Sequence, residues 1–227
     1  MLQAVKSSRI PIVTNGLGLY YDSSYRQSYP TTGATWFDLA SGKNATLNGT
    51  YTYYSGDGGY LSDFSPFSTY FPIDTSYSVT GLSGLTMQAV FMYTEGQYEG
   101  PKFIASTNSG GNDFGLSIGT DLVSMTSDGG SRNVSVSVTR NVWNFVSGIR
   151  DVSTLSLSVR ANGGSRVTNT YASLPTVNFT NGWMVSRNNT GGVQLRGRIA
   201  AVLFYTRALT SDEELQNYNA LRLKYGI

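Results

Sequence analysis

The chain of 227 residues contains no cysteine and no histidine. Without cysteine, disulfides, thiolate nucleophiles and thiolate zinc sites are excluded. Without histidine, Ser-His-Asp and Cys-His catalysis and most transition-metal sites are excluded as well. No apolar run approaches the ~20 residues that a membrane-spanning helix needs. The first residues, Met1–Lys6, lack the apolar region of a secretory signal peptide, so we expect synthesis in the cytoplasm without export.

Charge is scarce as well, because charged residues make up 13% of the chain and the net charge is +2. Lysine and arginine form no basic stripe, so we expect neither nucleic acid nor membrane as a partner. The chain is rich instead in glycine (26 residues) and tyrosine (16 residues), with abundant serine, threonine and asparagine. This composition is typical of a strand-and-turn protein with a neutral polar surface.

Apolar and polar residues alternate in short segments that are separated by glycine- and asparagine-rich turns. In the longest segment, Leu85–Tyr93, the residues Leu85, Met87, Ala89 and Phe91 fall on one face. Similar alternation occurs around Phe114–Ile118, Val134–Val138 and Leu155–Val159. One-sided alternation indicates antiparallel strands. The sequence therefore predicts an all-β sandwich.

The end of the chain carries the signals of one amphipathic helix. Thr210 or Ser211 can cap its start, and the acidic run Asp212–Glu214 places negative charge on the first turn. Gly226 lies just beyond the last turn, as is common at helix ends. We interpret the acidic run as helix capping rather than as a catalytic cluster.

Three motifs along the chain resemble one known family. They are Gly16–Asp22, Thr35–Leu39, and Gly197–Tyr205 followed by Leu209–Leu215. Together they resemble the concanavalin A-like lectin/glucanase superfamily in its laminin-G-like branch, which also occurs in tailed-phage virion proteins. The resemblance implies a jelly-roll sandwich of two antiparallel sheets with one short C-terminal helix, and Trp36 and Trp143 in the core. We predict an N-terminal arm at 1–13 and a jelly-roll domain at 14–227.

The glucanases of this superfamily resemble one another in a Glu-x-Asp-x-x-Glu strand motif that presents two carboxylates for retaining hydrolysis. This motif is absent from the sequence. We therefore predict a binding or structural module that is not an enzyme, with a glycan hydrolase as a distant alternative.

Lectin-like relatives often bind calcium through loop carboxylates, and Asp22, Asp38 and Asp57 are the candidate ligands here. Asp22 and Asp38 match the opening motif of the family. The alternative, equally weighted, is that these two carboxylates accept hydrogen bonds from backbone donors near strand ends. No dense Asp-x-Asp run favours the calcium interpretation, and we expect no other cofactor.

Exposed aromatic side chains are candidate carbohydrate platforms, because sugars stack on tyrosine and tryptophan rings. The candidates are Tyr54, Tyr60, Tyr98 and Trp183. The alternative is that these aromatic side chains belong to the hydrophobic core, since Tyr51 and Tyr53 alternate with Thr52 as in a strand.

The arm favours a further hypothesis, in which the chain is a phage virion surface protein such as a capsid decoration or fibre component. Lys6, Arg9, Ile10 and Ile12 would bind a neighbouring subunit as an added strand. The partners would be viral coat or tail subunits, surface glycans or both, and homo-oligomers are left open. A free-standing carbohydrate-binding lectin is the alternative function, and an unordered tail is the alternative for the arm.

Overall fold

The computed structural model describes residues 11–62, 71–73, 81–94, 102–105, 114–119, 121–176, 184–185 and 195–227. Within these ranges there are sixteen strands and one helix, α1 (Ser211–Tyr225). In chain order the strands are β1 (Leu17–Asp22), β2 (Thr35–Trp36), β3 (Ala45–Thr46), β4 (Thr52–Tyr54), β5 (Tyr60–Ser62), β6 (Phe71–Pro72), β7 (Gly84–Tyr93), β8 (Lys102–Ala105), β9 (Phe114–Ile118), β10 (Leu122–Ser127), β11 (Arg132–Ser137), β12 (Asn144–Asp151), β13 (Ser156–Ala161), β14 (Val167–Thr170), β15 (Met184–Val185) and β16 (Gly197–Tyr205).

The strands form two large antiparallel sheets. The eight-stranded sheet has the order β14-β13-β12-β7-β16-β5-β4, and β1 pairs with β16 beside β5. The six-stranded sheet has the order β11-β10-β9-β8-β15-β6. The predicted two-sheet architecture with one C-terminal helix is confirmed, and the small additional sheet of β2 and β3 was not foreseen.

The two large sheets enclose an inner core. Leu85, Met87, Ala89 and Phe91 of β7 face it, as their alternation predicts, and they meet residues such as Leu116 of the opposing sheet. The sheets approach so closely that a Cβ at Gly148 would lie 2.7 Å from Leu116 Cδ1. Glycine at this position therefore permits the close contact between the layers.

The other face of the eight-stranded sheet is covered by α1, and the two enclose an outer core. Val90 and Phe145 of the sheet pack there with Leu221 and Tyr225 of the helix. Trp36 lies in the inner core, as predicted, whereas Trp143 is buried in this outer core. Sequence alternation gave no indication that the two tryptophans serve different faces.

Helix α1 begins and ends as its sequence predicts. Thr210 is the N-cap, and it forms a capping box with Glu213, whose side chain accepts a hydrogen bond from the Thr210 N–H. Gly226 ends the helix in the left-handed conformation, with a φ of 68°. Glu214 does more than complement the helix dipole, because it is fully buried and forms ion pairs with Arg160 and Arg166. Among the described residues, no helix is long and apolar enough to cross a membrane.

Candidate functional site

The predicted aromatic platform residues Tyr54 and Tyr60 lie opposite each other on β4 and β5. Their rings are stacked, with centroids 5.1 Å apart and an interplanar angle of 18°. Tyr60 is 8% exposed and Tyr54 is 39% exposed. Only Tyr54 of this pair therefore offers substantial ring surface to a ligand. Tyr98 and Trp183 lie outside the described residues, and sugar binding at all four stays a prediction.

Tyr60 is enclosed by further groups. The Trp143 ring lies 5.4 Å from it in an edge arrangement, and the Arg198 guanidinium lies 4.8 Å above its ring. Arg198 also approaches Asp57 at 3.7 Å. This stack of Tyr54, Tyr60 and Trp143 anchors the edge of the eight-stranded sheet beside α1.

Asp22, a predicted calcium ligand, is fully buried at the end of β1. One carboxylate oxygen accepts hydrogen bonds from the Ser24 N–H and hydroxyl and from the Tyr225 hydroxyl, the last at 2.8 Å. The other accepts from the Tyr20 hydroxyl at 2.8 Å and from Lys224 Nζ at 2.9 Å. Burial, and then Asp22, raise the pKa of the Tyr20 hydroxyl. The carboxylate thereby connects β1 to the end of α1.

Asp38 organises the loop between β2 and β3. Its carboxylate accepts hydrogen bonds from the backbone N–H groups of Tyr20, Ala40, Ser41 and Lys43. Asp57 lies in a turn with a φ of 46°, and its side chain is 56% exposed. No group of three or more acidic residues that could hold a metal ion occurs in the described part of the chain. The structure thus gives internal partners to each of the three carboxylates, and calcium binding stays a prediction.

Of the arm residues predicted to bind a partner, Ile12 is described, whereas Lys6, Arg9 and Ile10 lie outside the described residues. Ile12 packs against the outer core. The next residue, Val13, is held at both backbone groups: its N–H donates to Asn217 Oδ1 at 2.7 Å, and its carbonyl accepts from the Tyr205 hydroxyl at 2.9 Å. The end of the predicted arm is therefore fixed to α1 and β16, while its partner binding and the boundary at 13 stay predictions.

An open cleft at the β4 edge was not predicted from the sequence. Its volume is about 550 Å³. It is formed by the segment after Tyr29 and by the segment that leads into β4, and its lining residues are Tyr29, Thr31, Thr32, Gly33, Gly49, Thr50, Tyr51, Thr52 and Tyr53. Since β4 is the last strand in its sheet order, it has a strand neighbour on one side only, and the cleft lies beside that edge.

Tyrosine hydroxyls converge on one carbonyl oxygen in the cleft. The hydroxyls of Tyr29 and Tyr51 donate to the Gly33 carbonyl at 3.0 and 2.9 Å. The Tyr29 ring lies 5.4 Å from the Tyr53 ring. Burial, and then the neighbouring Tyr51, raise the pKa of Tyr29 to about 12.

The backbone of the cleft is strained at Thr31. This β-branched residue has a φ of 76°, in the left-handed region that normally accommodates glycine. Such strain costs on the order of 1–2 kcal/mol, and it recurs at binding and catalytic sites. Thr31 is thus a strained position within the lining of the cleft.

The described lining of the cleft lacks the paired carboxyl groups of most glycosidases. Among the described residues, no aspartate or glutamate lines it. Most retaining and inverting glycosidases use two carboxyl groups across the scissile bond, and sialidases with a tyrosine nucleophile are an exception. The arrangement offers aromatic rings, hydroxyls and carbonyls, which can bind a polar ligand.

The tyrosine-rich segment before Gly56 is the sequence signal for this cleft. Its alternation predicts a strand with Tyr51 and Tyr53 on one face, and it does not indicate a cavity. They do pack against the inner core, yet each stays partly exposed. The contribution of Tyr29 and Thr31 depends on a tertiary contact between distant segments, so local alternation could not indicate it.

The comparison with protein families gives one match. A laminin G family model, described as the concanavalin A-like lectin/glucanases superfamily, matches residues 68–213, which is more than half of the chain. Among curated proteins, no sequence matches.

Solved structures share the fold at low sequence identity. The receptor-binding domain of the botulinum neurotoxin C/D mosaic serotype has a TM-score of 0.69 and 12% identity, over 94% of this chain and 55% of that chain. Domain 4 of an extracellular arabinanase from Geobacillus stearothermophilus, in complex with arabinotriose, has a TM-score of 0.66 and 14% identity, over 92% of this chain and 100% of that chain. A Trypanosoma rangeli sialidase mutant that displays trans-sialidase activity has a TM-score of 0.61 and 15% identity, over 95% of this chain and 34% of that chain.

The chain spans about half of the botulinum neurotoxin structures that it matches, from 51% to 55%. At such identities the likeness shows the fold alone. The neighbours include binding domains and an enzyme, so the fold does not decide whether this chain is catalytic. That question rests on the chemistry of its own site.

Proposed function

The chain belongs to the concanavalin A-like lectin/glucanase superfamily, and we propose that it is a non-enzymatic domain that binds carbohydrate in the β4 cleft. The observation that carries this proposal is an open cleft lined by tyrosine rings and threonine hydroxyls in which, among the described residues, no carboxylate takes part.

The size and chemistry of the cleft suit a saccharide. Small-molecule sites are typically about 300–1,000 Å³ in volume, and the cleft is about 550 Å³. The apolar C–H face of a sugar stacks on an aromatic ring, and Tyr51 and Tyr53 are the partly exposed rings of the lining. Sugar hydroxyls would exchange hydrogen bonds with Thr31, Thr32 and Thr52.

A glycan array followed by calorimetric titration tests the proposal. We expect Tyr51→Ala to weaken binding about tenfold or more, because it removes a ring and a hydroxyl from the cleft. Leu223→Ala is the control, since Leu223 lies on α1 and is 80% exposed. Tyr54→Ala tests the alternative platform on the other face of β4. Binding that survives Tyr51→Ala but is lost in Tyr54→Ala would move the site to the stack, and release of reducing sugar would overturn the non-enzymatic assignment.

The arm favours a second proposal about where the domain works, namely on the surface of a phage virion. Val13 is fixed at both backbone groups, to α1 and to β16, so the described chain is anchored to the domain at this point. We propose that residues 1–10 pair with a neighbouring coat or tail subunit. Deleting them, while Val13 and its contacts are kept, should abolish co-purification with particles and leave glycan binding intact. Unchanged attachment would reject this role of the arm.

A further inference from the structure

We propose that the cleft selects neutral saccharides and discriminates against saccharides that carry a carboxylate, sulfate or phosphate. This inference rests on the proposed carbohydrate-binding function and specifies its ligand class. Three features of the cleft carry it: the charge of its lining, the direction of its hydrogen bonds and the protonation of its tyrosines.

The first feature is charge. The lining consists of tyrosine, threonine and glycine, and among the described residues no lysine or arginine belongs to it. Sites that bind anionic groups normally supply an arginine or lysine, because the anion loses part of its hydration on binding. An acidic sugar would lose hydration in this cleft, and no cation in the described lining would compensate for that loss.

The second feature is hydrogen-bond direction. Tyr29 and Tyr51 both direct their hydroxyl protons at the Gly33 carbonyl, which uses both of its lone pairs in accepting them. Because Tyr29 is buried, the oxygen that a ligand can reach is that of Tyr51, and it can only accept a further hydrogen bond. A neutral sugar has hydroxyl donors that match this acceptor, whereas a carboxylate or sulfate group has no donor.

The third feature is protonation. Tyr29 is buried, and its pKa is raised from 10.0 to about 12, so the pH range in which its hydroxyl is neutral and donates to Gly33 extends further above neutrality. The direction of this hydrogen bond is thus the same throughout the physiological pH range. Thr31, Thr32 and Thr52 can rotate their hydroxyls to donate or accept, so they complete the contacts with either type of sugar hydroxyl.

Matched glycans that differ only in charge test this inference. Gluco-, galacto- and manno-oligosaccharides are compared with the corresponding hexuronates at the same linkage, in which a carboxylate replaces the C6 hydroxymethyl group. Sialylated glycans are compared with their desialylated products. For each pair we expect the neutral member to bind at least about tenfold more tightly, which corresponds to about 1.4 kcal/mol.

A charge-introducing variant sharpens the test. Thr32 is exposed at the cleft, so Thr32→Lys adds a cation without disturbing a buried contact, and Thr32→Gln is the uncharged control. We expect Thr32→Lys to reduce the difference in affinity between the neutral and the acidic member of each pair, and we expect added salt to weaken this effect. Thr32→Gln should leave the difference in affinity unchanged.

The outcomes separate the two proposals. Preference for the acidic members, lost in Tyr51→Ala, would overturn the neutral selectivity and leave carbohydrate binding in the cleft standing. Binding of neither member, or binding of both that Tyr51→Ala does not weaken, would overturn the proposed function and this inference with it.

Discussion

The helix-covered face and the cleft are two regions of the same sheet that differ in charge: the first contains buried ion pairs, and the described lining of the second is uncharged. Under α1, Asp22 and Glu214 are fully buried and meet Lys224, Arg160 and Arg166. In the cleft, charged groups are missing from the described lining, and the polar contacts are made by hydroxyls and a carbonyl.

This difference in charge suits two roles: the helix side stabilises the fold, and the cleft is accessible for binding. Buried ions that are paired and hydrogen-bonded fix one geometry, because losing one partner leaves an uncompensated charge. The cleft lies at an edge strand and beside a strained residue, where a ligand has access. We infer that the helix side specifies the fold and that the β4 edge is left for binding.

The largest expected effect is on the helix side. Asp22→Asn removes the charge that Lys224 and two tyrosine hydroxyls contact, and we expect the free energy of unfolding to fall by about 3 kcal/mol. Asp57→Asn is the control, because its exposed contact with Arg198 at 3.7 Å should contribute less than about 0.5 kcal/mol. Urea unfolding measures both.

The same two variants, Asp22→Asn and Asp57→Asn, also test the predicted calcium site. Because the oxygens of Asp22 are occupied by internal donors, we expect added calcium or EDTA to leave Tm unchanged. Equal destabilisation by the two variants, or a calcium-dependent rise in Tm that Asp57→Asn removes, would contradict the contrast between a charged structural face and an uncharged binding edge.

In the cleft, a substitution at the strained residue should raise the stability of the domain rather than lower it. Thr31→Gly relieves the left-handed conformation, and we expect a gain of about 1 kcal/mol in stability, with weaker glycan binding because the hydroxyl is lost. Thr32→Gly is the matched control, since Thr32 is not in the left-handed region, and it should lower stability slightly. Loss of stability in Thr31→Gly, measured by thermal unfolding, would show that the strain at Thr31 is not released by glycine.

The smallest effect concerns the start of α1. Arg207 lowers the pKa of Glu213 from 4.5 to about 2, and it contacts both carboxylate oxygens. A lowered pKa in the folded state contributes stability that is complete above about pH 4.5 and lost as pH falls towards 2. We therefore expect Glu213→Gln to cost about 0.5 kcal/mol at pH 7 and to approach wild type near pH 2. A difference that grows on acidification would contradict the ion pair.

Short sequence patterns predicted the features that depend on neighbouring residues, namely the ends of α1 and the buried face of β7. Thr210, Glu213 and Gly226 define α1 through neighbouring backbone groups, and the alternation in β7 follows from one buried face. The sequence did not indicate tertiary partners. Arg150 of β12, for example, is a charged residue that is fully buried and donates to the Pro175 carbonyl.

The candidate site shows the same division. The sequence predicts Tyr54 and Tyr60 as separate platform candidates, and the structure places them opposite each other on β4 and β5. Tyr29 and Tyr51 both donate to the Gly33 carbonyl, and this arrangement requires distant segments to come together beside β4. The tyrosine-rich sequence predicts candidate rings for carbohydrate binding, but it does not specify which of these rings share a cleft.

The attachment of Val13 has a mechanical consequence. A pull on the residues before Val13 would load Asn217 of the helix and Tyr205 of β16, a strand that is hydrogen-bonded on both sides. Force would enter the sheet at a strand with neighbours on both sides rather than at its free edge. A domain tethered through this segment could bear tension while the shape of its cleft is preserved.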